Sequence, residues 1–96
     1  MPKAPIKVNI PVIFMKEGDV FVCYTPAFDL VAHGDTFEDA KKSFAISFKL
    51  FLEEVTKMGT WPRVLQEYGW KKVGSHLLPP QIIGQTLESV EIPASF

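Results

Sequence analysis

Reactive side chains are scarce in this sequence of 96 residues. It has one cysteine, Cys23, and two histidines, His33 and His76. One cysteine can form no internal disulfide and cannot build a multi-cysteine zinc site. Cys23 stands between Val22 and Tyr24 in an apolar run, which marks it as a small core residue. The two histidines lack the i, i+4 spacing that turns a pair of imidazoles toward one metal ion. His33 has the chemistry of a general acid or base, but it ends a strand pattern just before a turn, and His76 falls in a connector. Charge of one sign is also missing. A net charge of −1 supplies no excess to draw in nucleic acid or an anionic membrane. Lys41-Lys42, Lys49 and Lys71-Lys72 are scattered and read as solvated surface. No apolar run approaches membrane-spanning length. Met1-Pro2-Lys3-Ala4-Pro5 leads into a strand pattern and not into an apolar signal region, so a cytoplasmic location is expected. Phosphate-cradling and dinucleotide-binding glycine loops are absent, as is the G-x-S-x-G elbow. Asp19, Asp29 and Asp35 sit at turns, where aspartate commonly bonds nearby backbone. No catalytic residue, cofactor site or metal site is assigned.

What the chain does have is apolar residues, 47% of the total, and clear punctuation. The length suits one domain. So short a chain buries a modest fraction of its surface, so oligomerisation is expected. Residues 1–6 are proline-rich. Lys7 to Met15 reads as a strand with Val8, Ile10, Val12 and Phe14 on one face, and Pro11 marks an edge or bulge. Lys16-Glu17-Gly18-Asp19 is a hairpin turn. Val20 to Thr25 is a second strand closed by Pro26, and Leu30 to His33 is a short third strand. Short connections predict an antiparallel meander.

Gly34-Asp35 then turns the chain, and Thr36 caps a helix running from about Phe37 to Met58. Glu38 and Asp39 lie in its first turn, where negative charge meets the positive end of the helix dipole. At about 100° per residue, Phe37, Ala40, Phe44, Phe48, Phe51 and Val55 share a narrow arc, predicted to cover one face of the sheet. Ile46 and Leu50 lie about 180–220° away, among Asp39, Lys42, Lys49, Glu53 and Lys57. They are expected to be covered by the C-terminal segment or by a partner. Gly59 ends the helix. Thr60 is placed to cap a second, short helix with Trp61-Pro62 in its first turn. Gly69 stops that helix, and Trp70 to Val73 reads as a further strand. Ser75 to Gly84 is a connector, and Gln85 to Ile92 reads as a final strand able to pair within the chain or across a dimer. The fold class is therefore α+β, with a three-stranded antiparallel meander, a short further strand, a long helix on one face, a short second helix and a strand-like tail.

Three stretches together resemble the HicB antitoxin family. They are Ile10-Pro11-Val12-Ile13-Phe14, then Val20-Phe21-Val22-Cys23-Tyr24-Thr25-Pro26, then Gly34-Asp35-Thr36-x-Glu38-x-Ala40 opening a long helix. Tyr68-Gly69-Trp70 fits that family's Gly-Trp approach to its last strand. The resemblance covers about residues 7–73 of a single domain. It implies a partial ribonuclease H-like fold and a non-catalytic protein that binds and neutralises a HicA-type toxin, a small ribonuclease. The strands carry Val, Ile and Phe where the nuclease would need acidic metal ligands, so nuclease activity does not follow from the fold. Two departures stand out. Where the family often has Pro-Asp-Leu-Pro-Gly-Cys, this chain has Pro26-Ala27-Phe28-Asp29-Leu30-Val31. Residues 74–96 are too short for a helix-turn-helix unit and poor in basic residues, so no DNA binding is expected of this chain alone.

The expected partners are a HicA-like toxin and a second copy in a homodimer or higher oligomer, with no membrane. Candidate contact residues are the loop Pro26, Ala27, Phe28, Asp29 and Leu30 and the helix pair Ile46 and Leu50. Asp35 and Thr36 are assigned to the helix cap. The alternatives are a non-catalytic homo-oligomeric regulatory domain without a toxin partner, or an RNA-binding or nuclease-related protein on the ribonuclease H-like scaffold.

Overall fold

A computed structural model describes residues 5–95. Three strands, β1 (Ile13–Glu17), β2 (Val20–Thr25) and β3 (Leu30–Gly34), form an antiparallel sheet in the order β1-β2-β3. They are followed by a long helix, α1 (Phe37–Met58), a short one, α2 (Trp61–Glu67), and a separate two-stranded hairpin of β4 (Lys71–Val73) and β5 (His76–Leu78).

The meander is the expected one, with a shifted first strand. Glu17 pairs with Val20 and Ile13 with Tyr24, so the turn is the two residues Gly18-Asp19, and Lys16 and Glu17 belong to β1. The expected stretch from Lys7 to Val12 lies outside the sheet. Pro11 explains the stop. It has no N–H to continue the ladder, and its carbonyl instead accepts the Thr25 hydroxyl at 2.7 Å.

Across the sheet, Phe14, Cys23 and Ala32 are register partners and share one face. The helix lies on that face. Phe14 meets Phe37 of α1 with ring centroids 4.7 Å apart. Cys23, Ala32 and Ala40 are buried, and their small side chains let α1 sit close. The helix start is closer still. A Cβ on Gly34 would stand 2.6 Å from the Asp39 carbonyl carbon and nearer yet to the Ala40 nitrogen. Gly34 is thus required by contact with the first turn of α1, not by the turn conformation that the sequence suggested.

The cap is as expected. Thr36 is extended and its Oγ1 accepts from the Asp39 N–H at 3.0 Å. Replacing Thr36 with Ala should lower stability by about 1 kcal/mol, measured by urea unfolding at unchanged m-value. At the other end Gly59 adopts φ 68°, and the Thr60 N–H reaches back to the Val55 carbonyl at 3.3 Å. Thr60 itself provides no side-chain cap to α2, contrary to expectation; its backbone is at φ −106°, ψ 16°, outside the extended region a capping side chain needs.

Two further expectations are corrected. The segment Trp70–Val73 does not extend the meander; only Lys71–Val73 is strand, and it pairs with β5 across the turn Gly74-Ser75. The connector predicted from Ser75 therefore contains a strand. The predicted strand Gln85–Ile92 forms no ladder; residues 79–95 leave β5 without regular structure. It takes no partner within the chain: among the described residues β1 and β3 pair with β2 alone, and their outer edges stay open.

A 22-residue helix is about 33 Å long, whereas strands of five or six residues span about 17–20 Å. Because α1 starts at the end of β3 and runs back, its C-terminal half overhangs the sheet. There Phe48, Phe51 and Val55 pack on the β2–β3 loop and on α2 instead of on strands.

Candidate functional site

The loop proposed from sequence as a contact surface is the centre of the second half of the core. Ala27 is fully buried and Phe28 is 4% exposed. The Phe28 ring lies 5.1 Å from that of Phe51, 5.8 Å from Phe48 and 5.1 Å from Trp70, stacked on the last. Trp61 and Tyr68 meet it edge-on. Five aromatic neighbours converge on one ring whose backbone belongs to a turn.

Polar bonds hold that turn shut. Thr25, fully buried, donates its hydroxyl to the Pro11 carbonyl and accepts the Ala27 N–H at 3.2 Å. The Ala27 carbonyl accepts the Trp70 indole N–H at 2.8 Å across 43 residues of sequence. Asp29 closes the loop with φ 52°, and its carboxylate accepts the Tyr24 hydroxyl at 2.9 Å. That bond, reinforced by desolvation and by the carboxylate's charge, raises the Tyr24 phenol above its ordinary range. The outward rim of the loop is Asp29, with Pro26 and Leu30 half-buried. Ala27 and Phe28 are corrected from contact residues to core residues.

Ile46 and Leu50 are 63% and 60% exposed. The C-terminal segment does not cover them, so that half of the expectation is corrected. Their direction is the one anticipated: Phe48 and Phe51 face Phe28, and Ile46 and Leu50 lie on the opposite side of α1. The loop rim and the helix pair therefore do not form one continuous site. The helix pair stands among Lys42, Lys49, Glu53 and Lys57, an apolar spot in a mixed-charge face. Asp35 and Thr36 are exposed at the strand-to-helix junction and serve the cap geometry.

Buried Cys23 lies under α1, and desolvation pushes its thiol up, with the Lys41 charge opposing part of that rise. A thiol held protonated is a poor nucleophile. Among the described residues, no group of three or more histidine, cysteine, aspartate or glutamate side chains is placed to hold a metal ion. No helix of the described residues is long and apolar enough to cross a membrane.

One surface escaped sequence reasoning. The outer face of the sheet carries Ile13, Met15, Val20 and Val31 exposed around buried Val22. The signal was present in Ile13-Phe14-Met15, three consecutive apolar residues where a half-covered strand would alternate. The fold and its surfaces define a small α+β domain with exposed apolar faces and a core-filling loop. No protein-family model, curated protein or solved structure matches the chain.

Proposed function

We propose that this chain is a non-catalytic binding protein of the HicB antitoxin type, which neutralises a HicA-type ribonuclease by protein–protein contact. What supports the reading is the run Gly34-Asp35-Thr36-x-Glu38-x-Ala40, placed at the junction between an antiparallel meander and a long helix lying on one of its faces. That order is the one the resemblance to a partial ribonuclease H-like fold calls for through α1. The hairpin of β4 and β5 departs from it, because the fourth strand of that fold would join the sheet.

The contact surface in this reading is the outer face of α1. Ile46 and Leu50 are the apolar anchors, and Lys42 and Lys49 beside them make a polar rim. Two aliphatic side chains four residues apart present one face to a partner helix or groove. Co-expression of the chain with a HicA-type toxin should restore growth and yield a complex. Ile46→Asp with Leu50→Asp should lose both while the melting temperature moves by less than about 8 °C, since each exposed substitution changes stability by about 0.5 kcal/mol or less. A double variant that still rescues growth would remove this face from the reading.

A second reading, a homo-oligomeric domain of regulatory or structural kind, is favoured by the exposed edge strand β1 and the exposed C-terminal arm. The two readings are compatible, because they use different surfaces.

A further inference from the structure

Strand β1 and the segment from Gln81 to Ile92 are the two features that favour the homo-oligomeric reading, and their geometry says how copies would join. All five residues of β1 are exposed, and the strand forms one edge of the sheet. An edge of this kind offers unpaired N–H and C=O groups to any extended chain. On its helix side, half-exposed Phe14 and Phe37 form an apolar ledge. Two ammonium groups flank it: Lys16 Nζ lies 5.5 Å over the Phe21 ring and Lys41 Nζ 5.6 Å over the Phe37 ring.

The other feature is the arm. It leaves β5 through Pro79-Pro80, half-buried beside Ile10 and Pro11. Two consecutive prolines fix φ and stiffen the exit. Beyond them Ile83 is 98% and Leu87 95% exposed, and Val90 and Ile92 are both 74% exposed. The radius of gyration, 16.7 Å, exceeds the roughly 12.5 Å of a compact chain of this length. The long dimension of 59 Å against 28 and 22 Å gives the same account of an outstretched segment.

We infer that the arm adds as a fourth strand to the free edge of β1 in a second copy of the chain, and that the exchange is reciprocal. The donor and the acceptor are on the same chain, so a two-fold axis satisfies both arms at once and closes the assembly. The arm forms no ladder with its own sheet among the described residues. Side chains at alternate positions share a face, so Glu88, Val90 and Ile92 point the same way. Antiparallel pairing with Val90 opposite Phe14 sets Ile92 opposite Val12 and Glu88 opposite Lys16. Apolar residues then meet the Phe14–Phe37 ledge, and the Glu88 carboxylate, which accepts the Thr86 hydroxyl at 2.8 Å, meets Lys16, whose ammonium lies over the Phe21 ring. Pro93 ends the added strand at the level where Pro11 ends the β1–β2 ladder. Each copy contributes the arm, β1 and the ledge, about 20 residues, which is the size of an ordinary stable interface of about 800 Å² per partner.

The test is the mass of the full-length chain by size-exclusion chromatography with light scattering, from about 1 μM to 1 mM. The expected mass is twice the 10.8 kDa of one chain. Val90→Asp should reduce it to that of one chain with an unchanged circular dichroism spectrum, because the side chain is exposed. Lys16→Glu and Glu88→Lys should each raise the dimer dissociation constant on the order of tenfold, through two symmetry-related pairs, and the double reversal should restore it. A single-chain mass throughout the range, or a dimer that Val90→Asp leaves intact, would overturn the exchange. Failure of the double reversal to restore association would overturn the pairing of Glu88 with Lys16.

Discussion

Phe28→Ala should cost about 3–5 kcal/mol, the range for deleting a large aromatic from a packed core. The site makes the upper part of that range the expected one. The rings of Phe48, Phe51, Trp61, Tyr68 and Trp70 all face the space that would be vacated. They come from α1, from α2 and from the segment before β4, so no single shift of one element can refill it. Against a total stability of about 5–15 kcal/mol, the loss should lower the melting temperature by roughly 15 °C or more. Thermal unfolding followed at 222 nm reads it directly. Phe28→Leu keeps most of the volume and should cost distinctly less. An alanine variant as stable as the parent would mean that the loop is not the plug of the core.

Gly34→Ala should be the second large effect, about 3 kcal/mol, at the top of the usual range for overpacking. The added Cβ would press on backbone, the Asp39 carbonyl carbon and the Ala40 nitrogen, and not on the end of a flexible side chain. Relief requires α1 to slide away from β3. That in turn uncovers Cys23, Ala32 and Ala40, all buried in the parent. Urea unfolding should report the loss, and the Cys23 thiol should become more reactive toward alkylation as the helix lifts. An unchanged midpoint together with a protected thiol would contradict the close approach.

These two positions mark where the sequence could be read and where it could not. The bounds of α1 followed from local chemistry. Thr36 caps it, Gly59 ends it, and both act through atoms only a few residues away. The strands β2 and β3 were legible for the same reason, as apolar runs bounded by turn residues. Phe28 was not, because a residue in a four-residue turn between strands is expected at the surface. Its burial depends on Trp70, which donates to the Ala27 carbonyl from 43 residues away. Gly34 was read as a turn residue because its identity fits one; that it is needed for contact emerges only once α1 has been placed. Likewise the strand character of Lys71–Val73 was visible, but its partner was not, since pairing with β5 is a property of the turn Gly74-Ser75 and not of β4 alone. The tail's alternating apolar residues suggested a strand, yet a strand is defined by a neighbour, and the single chain provides none.

The exposed pair Ile46 and Leu50 was legible as a surface because it breaks the helix's own periodicity. Of the five loop candidates, burial removes Ala27 and Phe28, while Asp29 stays exposed with Pro26 and Leu30 half-buried. In the proposed reading α1's outer face takes the partner and the sheet edge takes a second copy, so the two contacts do not compete.

In the proposed reading this chain inhibits a ribonuclease by binding it. The most direct measurement is RNA cleavage by a purified HicA-type ribonuclease, titrated with the folded full-length chain. The account predicts that cleavage falls to background as the chain reaches stoichiometric amounts, and that Ile46→Asp with Leu50→Asp abolishes the inhibition. Cleavage that continues undiminished at a large excess of the folded chain would contradict it.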